Sequence, residues 1–239
     1  MSVLLLQLTG PLQSWGEQSR FVQRETNHFP TKSGILGLVA AAQGRRRTDT
    51  LEDLTQLRLG VRIDQPGRLI RDFHTARSSL TGKSFPLSHR YYLGDAVFLA
   101  GIEGDHELLE GIADAIRSPA FPLYLGRRSC PPSRPLILDE VKEIQLVDAL
   151  GHDWIAAPWH QKKTRSERVT LEIFRDSHSA DEIGDQFRDV PISFSQEERQ
   201  YGWRTVVRET VEVNNPYYVA RELPDDGTGD HDFMAAVGG

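Results

Sequence analysis

Cysteine is almost absent from this sequence. Cys130 stands alone among 239 residues, which excludes an internal disulfide and any multi-cysteine zinc site. Long apolar runs are missing as well. The longest, Ile35 to Ala42, falls far short of the about 20 residues that cross a bilayer. Met1 leads straight into VLLLQL with no basic n-region and no small-residue cleavage site, so the chain reads as soluble and cytoplasmic, with no membrane partner. The eight histidines show neither HExxH nor HxH spacing, so no metal and no cofactor are expected. There is no GxxxxGK phosphate loop, which argues against ATP hydrolysis, and no nucleophile elbow around Ser129. Lysine is scarce, five residues against 23 arginines, and arginine is the side chain that grips phosphate with two parallel hydrogen bonds.

Hydrophobic residues make up 38% and charged residues 26% of the chain, enough to bury a core in one large or two small domains. The net charge of −6 alone argues against nucleic acid, but its distribution does not. Residues 1–135 carry a net +4 and residues 136–239 a net −10. Such asymmetry points to a basic working face and an acidic remainder, which would turn toward protein partners or solvent. The string QKKTRSER at 161–168 is a local basic exception.

VLLLQL at 3–8 suits a buried strand, and a long polar connection follows it. Thr31 or Ser33 caps a helix over about 34–43, with Gly44 as its stop, and a second short helical pattern spans 51–57. LGVRID at 59–64 alternates as a strand, and 72–90 reads as a polar excursion or long hairpin. Tyr91–Ile102 is the clearest strand, Asp105–Ile116 an amphipathic helix and Phe121–Leu125 a further strand. This order gives an α+β fold: a ferredoxin-like (RRM-type) βαββαβ domain over 1–135. ILDEVKEIQLV, RVTLEIF, VPISF and WRTVVRETVEV then make a small β-rich C-terminal subdomain over 136–223, and 224–239 reads as a mobile tail.

Four clusters carry candidate chemistry. Arg20, Arg24, His28, Lys32 and Ser33 precede or open the first helix, whose N-terminal amides form a natural phosphate seat. The same string equally serves as an ordinary capped helix. Arg45, Arg46 and Arg47 fan out at the far end of that helix, where cations also suit the helix dipole. Arg127, Arg128 and Ser129 follow Gly126 in a loop stiffened by Pro131 and Pro132. Between them, the excursion interleaves Arg71, His74, Arg77, Lys83, His89 and Arg90 with Phe73 and Phe85, as suits single-stranded nucleic acid. A metal-free ribonuclease needs only an acid/base pair near a 2′-hydroxyl, for which His28 with Lys32, or His74, would serve.

LTGPLQSWG at 8–16, the spaced Arg20 and Arg24, PTKSGILGLVAAAQGRRR at 30–47, RYYLGDAVFLAGIEGD at 90–105 and LGRRSCPP at 125–132 together resemble the Cas-five family of CRISPR-associated proteins, in its type I-E branch. The resemblance covers at least 1–135; beyond Pro135 only length and β character match. It implies the ferredoxin-like domain with a protruding β-hairpin thumb, here about 72–90, and the β-rich C-terminal part. It further implies a non-catalytic, guide-RNA-binding subunit of the antiviral Cascade complex that holds the 5′ handle of the crRNA and caps the backbone. The implied partners are the backbone subunit CasC and the large subunit CasA, with target DNA met only indirectly through the complex. Cleavage belongs to another subunit, CasE, although type I-C relatives cut precursor RNA themselves. On this reading Arg20, Arg24, His28, Lys32, Ser33, Arg45, Arg46, Arg47, Arg77, Lys83, Arg127, Arg128 and Ser129 are expected to touch RNA.

Overall fold

In a computed structural model, residues 1–16, 23–179, 181–195, 197 and 199–219 are described, Gln23 and Arg24 by their backbone alone. Arg20 and the tail 224–239 lie outside them. The fold is mixed α and β, with one curled antiparallel sheet, a second smaller sheet and few helices.

The first strand, β1 (Ser2–Thr9), is apolar on both faces because both are covered. Leu4, Leu6 and Leu8 face a core shared with two helices, while Val3 and Leu5 face a smaller cluster on the opposite side. β2 (Leu12–Gln13) and β3 (Gln23–Arg24) are two-residue strands that leave the main sheet. α1 (Lys32–Ala42) starts at Thr31, whose hydroxyl accepts from the Gly34 amide. α2 (Glu52–Thr55) is one turn, shorter than its sequence pattern. β4 (Arg58–Gln65) then returns to the main sheet, and β5 (Arg68–His74) and β6 (Ser88–Gly94) form a long hairpin. β7 (Val97–Gly104) and α3 (His106–Arg117) follow. Asp105 caps α3, and Leu109, Ile112, Ala113 and Ile116 are its buried stripe, at the spacing the sequence shows.

Two short helices, α4 (Leu146–Ala149) and α5 (Pro158–Lys163), precede β8 (Arg168–Asp176), β9 (Asp185–Ser193) and the fifteen-residue β10 (Gln200–Asn214). The main sheet runs β1-β7-β4-β8-β10-β9, every neighbour antiparallel. The acidic C-terminal half therefore continues the sheet begun by the basic half. The sheet curls so that β9 lies across α1, with Asp189 accepting from the Lys32 amide at 2.7 Å.

The structure departs from the sequence pattern in three places. Tyr91–Ile102 is not one strand: Asp95, at φ 55°, breaks it, and β6 and β7 enter different sheets. Phe121–Leu125 forms no strand, since Pro119 and Pro122 remove ladder donors. There the Ala120 and Phe121 amides instead satisfy the last carbonyls of α1, at 2.9 and 3.3 Å. Finally, ILDEVKEIQLV meets β1 only through isolated bridges at Ile137 and Lys142, and its last residues turn into α4. The complete βαββαβ pattern is thus not made by regular strands.

Candidate nucleic-acid interface

Sheet geometry places a long hairpin outside the body of the protein. β6 is its central strand: β5 pairs along one edge from Arg68↔Gly94 to His74↔Ser88, and β2 and then β3 occupy the other. Every residue of β5 is exposed, whereas β6 anchors the hairpin in the main core through Tyr92 and Leu93. The tip of the hairpin is folded as well. Ser78 donates to the Lys83 carbonyl at 2.9 Å, Phe85 to Ala76 at 2.8 Å, and Gly82 adopts φ 66° to close the turn. Arg77 and Lys83 therefore stand at a defined tip, with the Arg77 Nε donating to the Gly82 carbonyl at 2.9 Å.

Opposed residues of an antiparallel pair share a face, and successive residues alternate. One face of the hairpin consequently carries Arg68, Ile70, Asp72, His74, Arg90 and Tyr92. The other carries Leu69, Arg71, Phe73, His89, Tyr91 and Leu93, with Phe73 64% exposed. The register also sets Arg24 beside Arg90, which lies opposite Asp72.

The loop after Leu125 is built to approach this root. Gly126 has φ 83°, and a Cβ there would lie 1.9 Å from the Ser14 carbonyl oxygen, so only glycine fits. The turn closes through the Cys130 amide on the Arg127 carbonyl at 2.8 Å and the Leu125 amide on the Cys130 carbonyl at 2.7 Å. Arg127 lies over the Tyr92 ring, 4.9 Å from its centroid, and donates to the Glu25 carbonyl at 3.5 Å. Arg128 and Ser129 are exposed beside it, the Ser129 hydroxyl 3.8 Å from the Cys130 thiol. Cys130 is buried, and burial pushes its thiol up. His28 is exposed one segment away, its ring edge-on to Phe29 at 4.8 Å and Phe174 at 5.5 Å.

Two expected clusters do not join this surface. Lys32 and Ser33 are buried, and the phosphate seat at the start of α1 is filled from within the chain. Asp189 takes the Lys32 amide, and the Lys32 Nζ lies 2.8 Å from Asp176, its side chain 7% exposed. Arg204 completes the network, 2.6 Å from Asp189 and 2.5 Å from Asp176. Burial alone would raise the Asp176 carboxyl, but Arg204 and Lys32 hold it below the usual carboxylate range. Lys32 is thereby engaged by Asp176 inside the fold. Arg45, Arg46 and Arg47 sit beyond the other end of α1, about 16 Å of helix away. Arg45 is held by Asp53, 2.6 Å from Nη1, and by the Thr50 carbonyl at 2.9 Å, whereas Arg46 and Arg47 are exposed.

Residues 3–207 match the family of the CRISPR-associated protein (Cas_Cas5). The chain belongs to the Cas5 family. This Cas5 chain is 35% identical over 157 residues to the CRISPR system Cascade subunit CasD of Escherichia coli (strain K12), a match spanning 57% of this chain and 70% of that protein. It superposes on a chain of a solved CRISPR RNA-guided surveillance complex with a TM-score of 0.73, at 30% identity, covering 91% of this chain and 93% of the other. A second solved structure, of a Cas protein, gives a TM-score of 0.69 at 36% identity, covering 90% and 97%. Among the described residues, no helix of this Cas5 chain is long and apolar enough to cross a membrane.

The sequence does not show that the buried Tyr92 ring supports Arg127. This pairing joins residues 35 apart through the tertiary fold, and no local pattern announces that. Arg90 was legible as part of a basic segment, but its place beside Arg24 follows only from strand register.

Proposed function

We propose that this Cas5 protein is a non-catalytic, guide-RNA-binding subunit of a cytoplasmic Cascade-type surveillance complex. It holds the 5′ handle of the crRNA and caps the backbone, next to the backbone subunit CasC and the large subunit CasA. One observation carries this reading: a hairpin exposed along β5, with Arg77 and Lys83 at its tip, Phe73 exposed on one face, Arg90 on the other, and Arg127 resting on the buried Tyr92 ring. Cations to follow phosphates and rings to stack on splayed bases are what single-stranded RNA recognition needs. The kinship with the Cascade subunit CasD and with a chain of an RNA-guided surveillance complex supports the same assignment.

In this reading residues 1–135 are the RNA-binding part, with the thumb at about 72–90, and 136–223 form the remainder. β1, β7 and β4, with α1 and α3 on one face, act as a ferredoxin-like unit in which the irregular segment 136–142 takes the fourth strand's place beside β1. The handle would contact Arg24, Arg77, Lys83, Arg127, Arg128, Ser129 and His28, with Arg20 extending the same segment and Arg46 and Arg47 reached only by a longer path. A nuclease that pairs His28 with Lys32 is disfavoured by the burial of Lys32 against Asp176.

The test is a native-gel titration of a repeat-derived RNA across a salt series. The double variant R127A/R128A is expected to bind at least tenfold more weakly at 100 mM salt. Its salt slope should fall by about 1.4, at roughly 0.7 per phosphate contact on single strands. An unchanged slope would move the site elsewhere.

A further inference from the structure

We propose that the exposed surface formed by α5, the loop that follows it and the Tyr217–Tyr218 turn is a second contact for single-stranded nucleic acid, distinct from the hairpin and the Arg127 loop. Residues 160–168 carry four cations against a single acid, Glu167, within a half of the chain that is otherwise strongly acidic. Lys162, Lys163, Arg165 and Arg168 are all exposed. Arg168 is 3.6 Å from Glu212, but among the described residues no carboxylate pairs with Lys162, Lys163 or Arg165. Cations grouped in this way, with no carboxylate partner for three of them among the described residues, repel one another unless a polyanion joins them.

Aromatic side chains stand among them. Trp159 is 54% exposed and Tyr217 43%, large apolar surfaces left in water. The Lys162 Nζ lies 4.9 Å from the centroid of the Tyr217 ring. The Trp159 ring is edge-on to His160, which is edge-on to the buried Trp154, so the exposed indole is braced. Burial and the neighbouring Lys163 hold the His160 imidazole below its ordinary value, so it adds no charge at neutral pH.

The surface is also rigid. The buried Asn215 side-chain amide donates to the carbonyls of Gln161 at 3.1 Å, Thr164 at 2.8 Å and Ser166 at 3.1 Å, and its oxygen accepts from the Tyr217 amide at 3.0 Å. One asparagine thus fixes both the cationic loop and the tyrosine turn. Rings and cations held ready in this way form a base-stacking platform with phosphate partners, and they need little ordering on binding. Position agrees with this role. The Ala157 amide, at the start of α5, donates to the Gln65 side chain at 3.2 Å, and Gln65 in turn donates to the Asp95 carbonyl at 2.5 Å. Those two residues flank the hairpin root, so the start of α5 lies beside it.

The full-length protein, as wild type, W159A and K162A/K163A/R165A, would be titrated into labelled oligo(U)20 and oligo(dT)20 from 50 to 200 mM salt. The triple variant is expected to bind about tenfold more weakly at 100 mM, with its salt slope lower by about 2. W159A is expected to lose about fivefold or more. Preference for one probe tells whether RNA or DNA is the strand held. R127A/R128A should weaken repeat-RNA binding while the triple variant leaves a short handle-length RNA bound as tightly as wild type, which separates this site from the handle reading. Unchanged affinity and slope in both surface variants would overturn the proposal, as would loss of a protein partner with oligonucleotide affinity intact. Should the triple variant fail to fold, 5-iodouracil crosslinking of the wild type decides. Label on peptides holding Trp159 or Tyr217 supports the site, and label confined to hairpin peptides overturns it.

Discussion

Arg204 and Lys32 meet Asp176 and Asp189 in a buried network whose purpose is architectural. It ties β8, β9 and β10 to the start of α1, replacing an external anion with the chain's own carboxylates. Removing one member leaves charges buried without partners, so R204M is expected to cost about 3–5 kcal/mol in urea unfolding. The sign with pH follows from the depressed Asp176 carboxyl. Its stabilisation is fully present above the ordinary carboxylate value of about 4 and is lost as pH falls through the lower folded-state value. Thermal melts from pH 7 to 3 should therefore show a steep acid-side loss in wild type and a shallower one in D176N. Gly126 is the second residue on which the account depends. G126A forces a side chain into the Ser14 carbonyl at a positive φ, and should destabilise by about 1–3 kcal/mol while weakening RNA binding through a displaced Arg127. A melting temperature unchanged from wild type would show that the loop relaxes freely.

Among the elements, the hairpin β5–β6 is the most separable. It is exposed along β5 and its tip is closed by local hydrogen bonds, so R77A/K83A should leave the melting temperature unchanged. The same variant should lower the salt slope for repeat RNA by about 1.4. A fall in stability would mean that the tip packs against the body. The hairpin was legible from its polar, Ser/Thr-rich composition, and α3, β4, β8 and β10 were legible because each keeps one periodicity along its length. Where one apolar run serves two sheets, as at Tyr91–Ile102, periodicity carries no mark of the break, and only the backbone at Asp95 reveals it. The N-terminus of α1 misleads for a related reason: Thr31-Lys32-Ser33-Gly34 looks like an anion seat, and the carboxylate that fills it comes from Asp189, far along the chain.

At the scale of the whole molecule, the opposition between a basic first half and an acidic second half does not divide the structure, because one sheet runs through both. Charge separates surfaces instead: cations gather at the hairpin root and tip, and many acids of the second half are spent in internal pairs, such as Glu182 and Glu209 on Arg175. On the proposed reading, these cationic surfaces are the ones that meet a polyanion. The most direct test incubates the purified protein with end-labelled repeat RNA in EDTA and runs parallel native and denaturing gels. The account predicts RNA that shifts on the native gel and stays intact on the denaturing one. A discrete cut at the handle boundary, abolished by H28A, would contradict it.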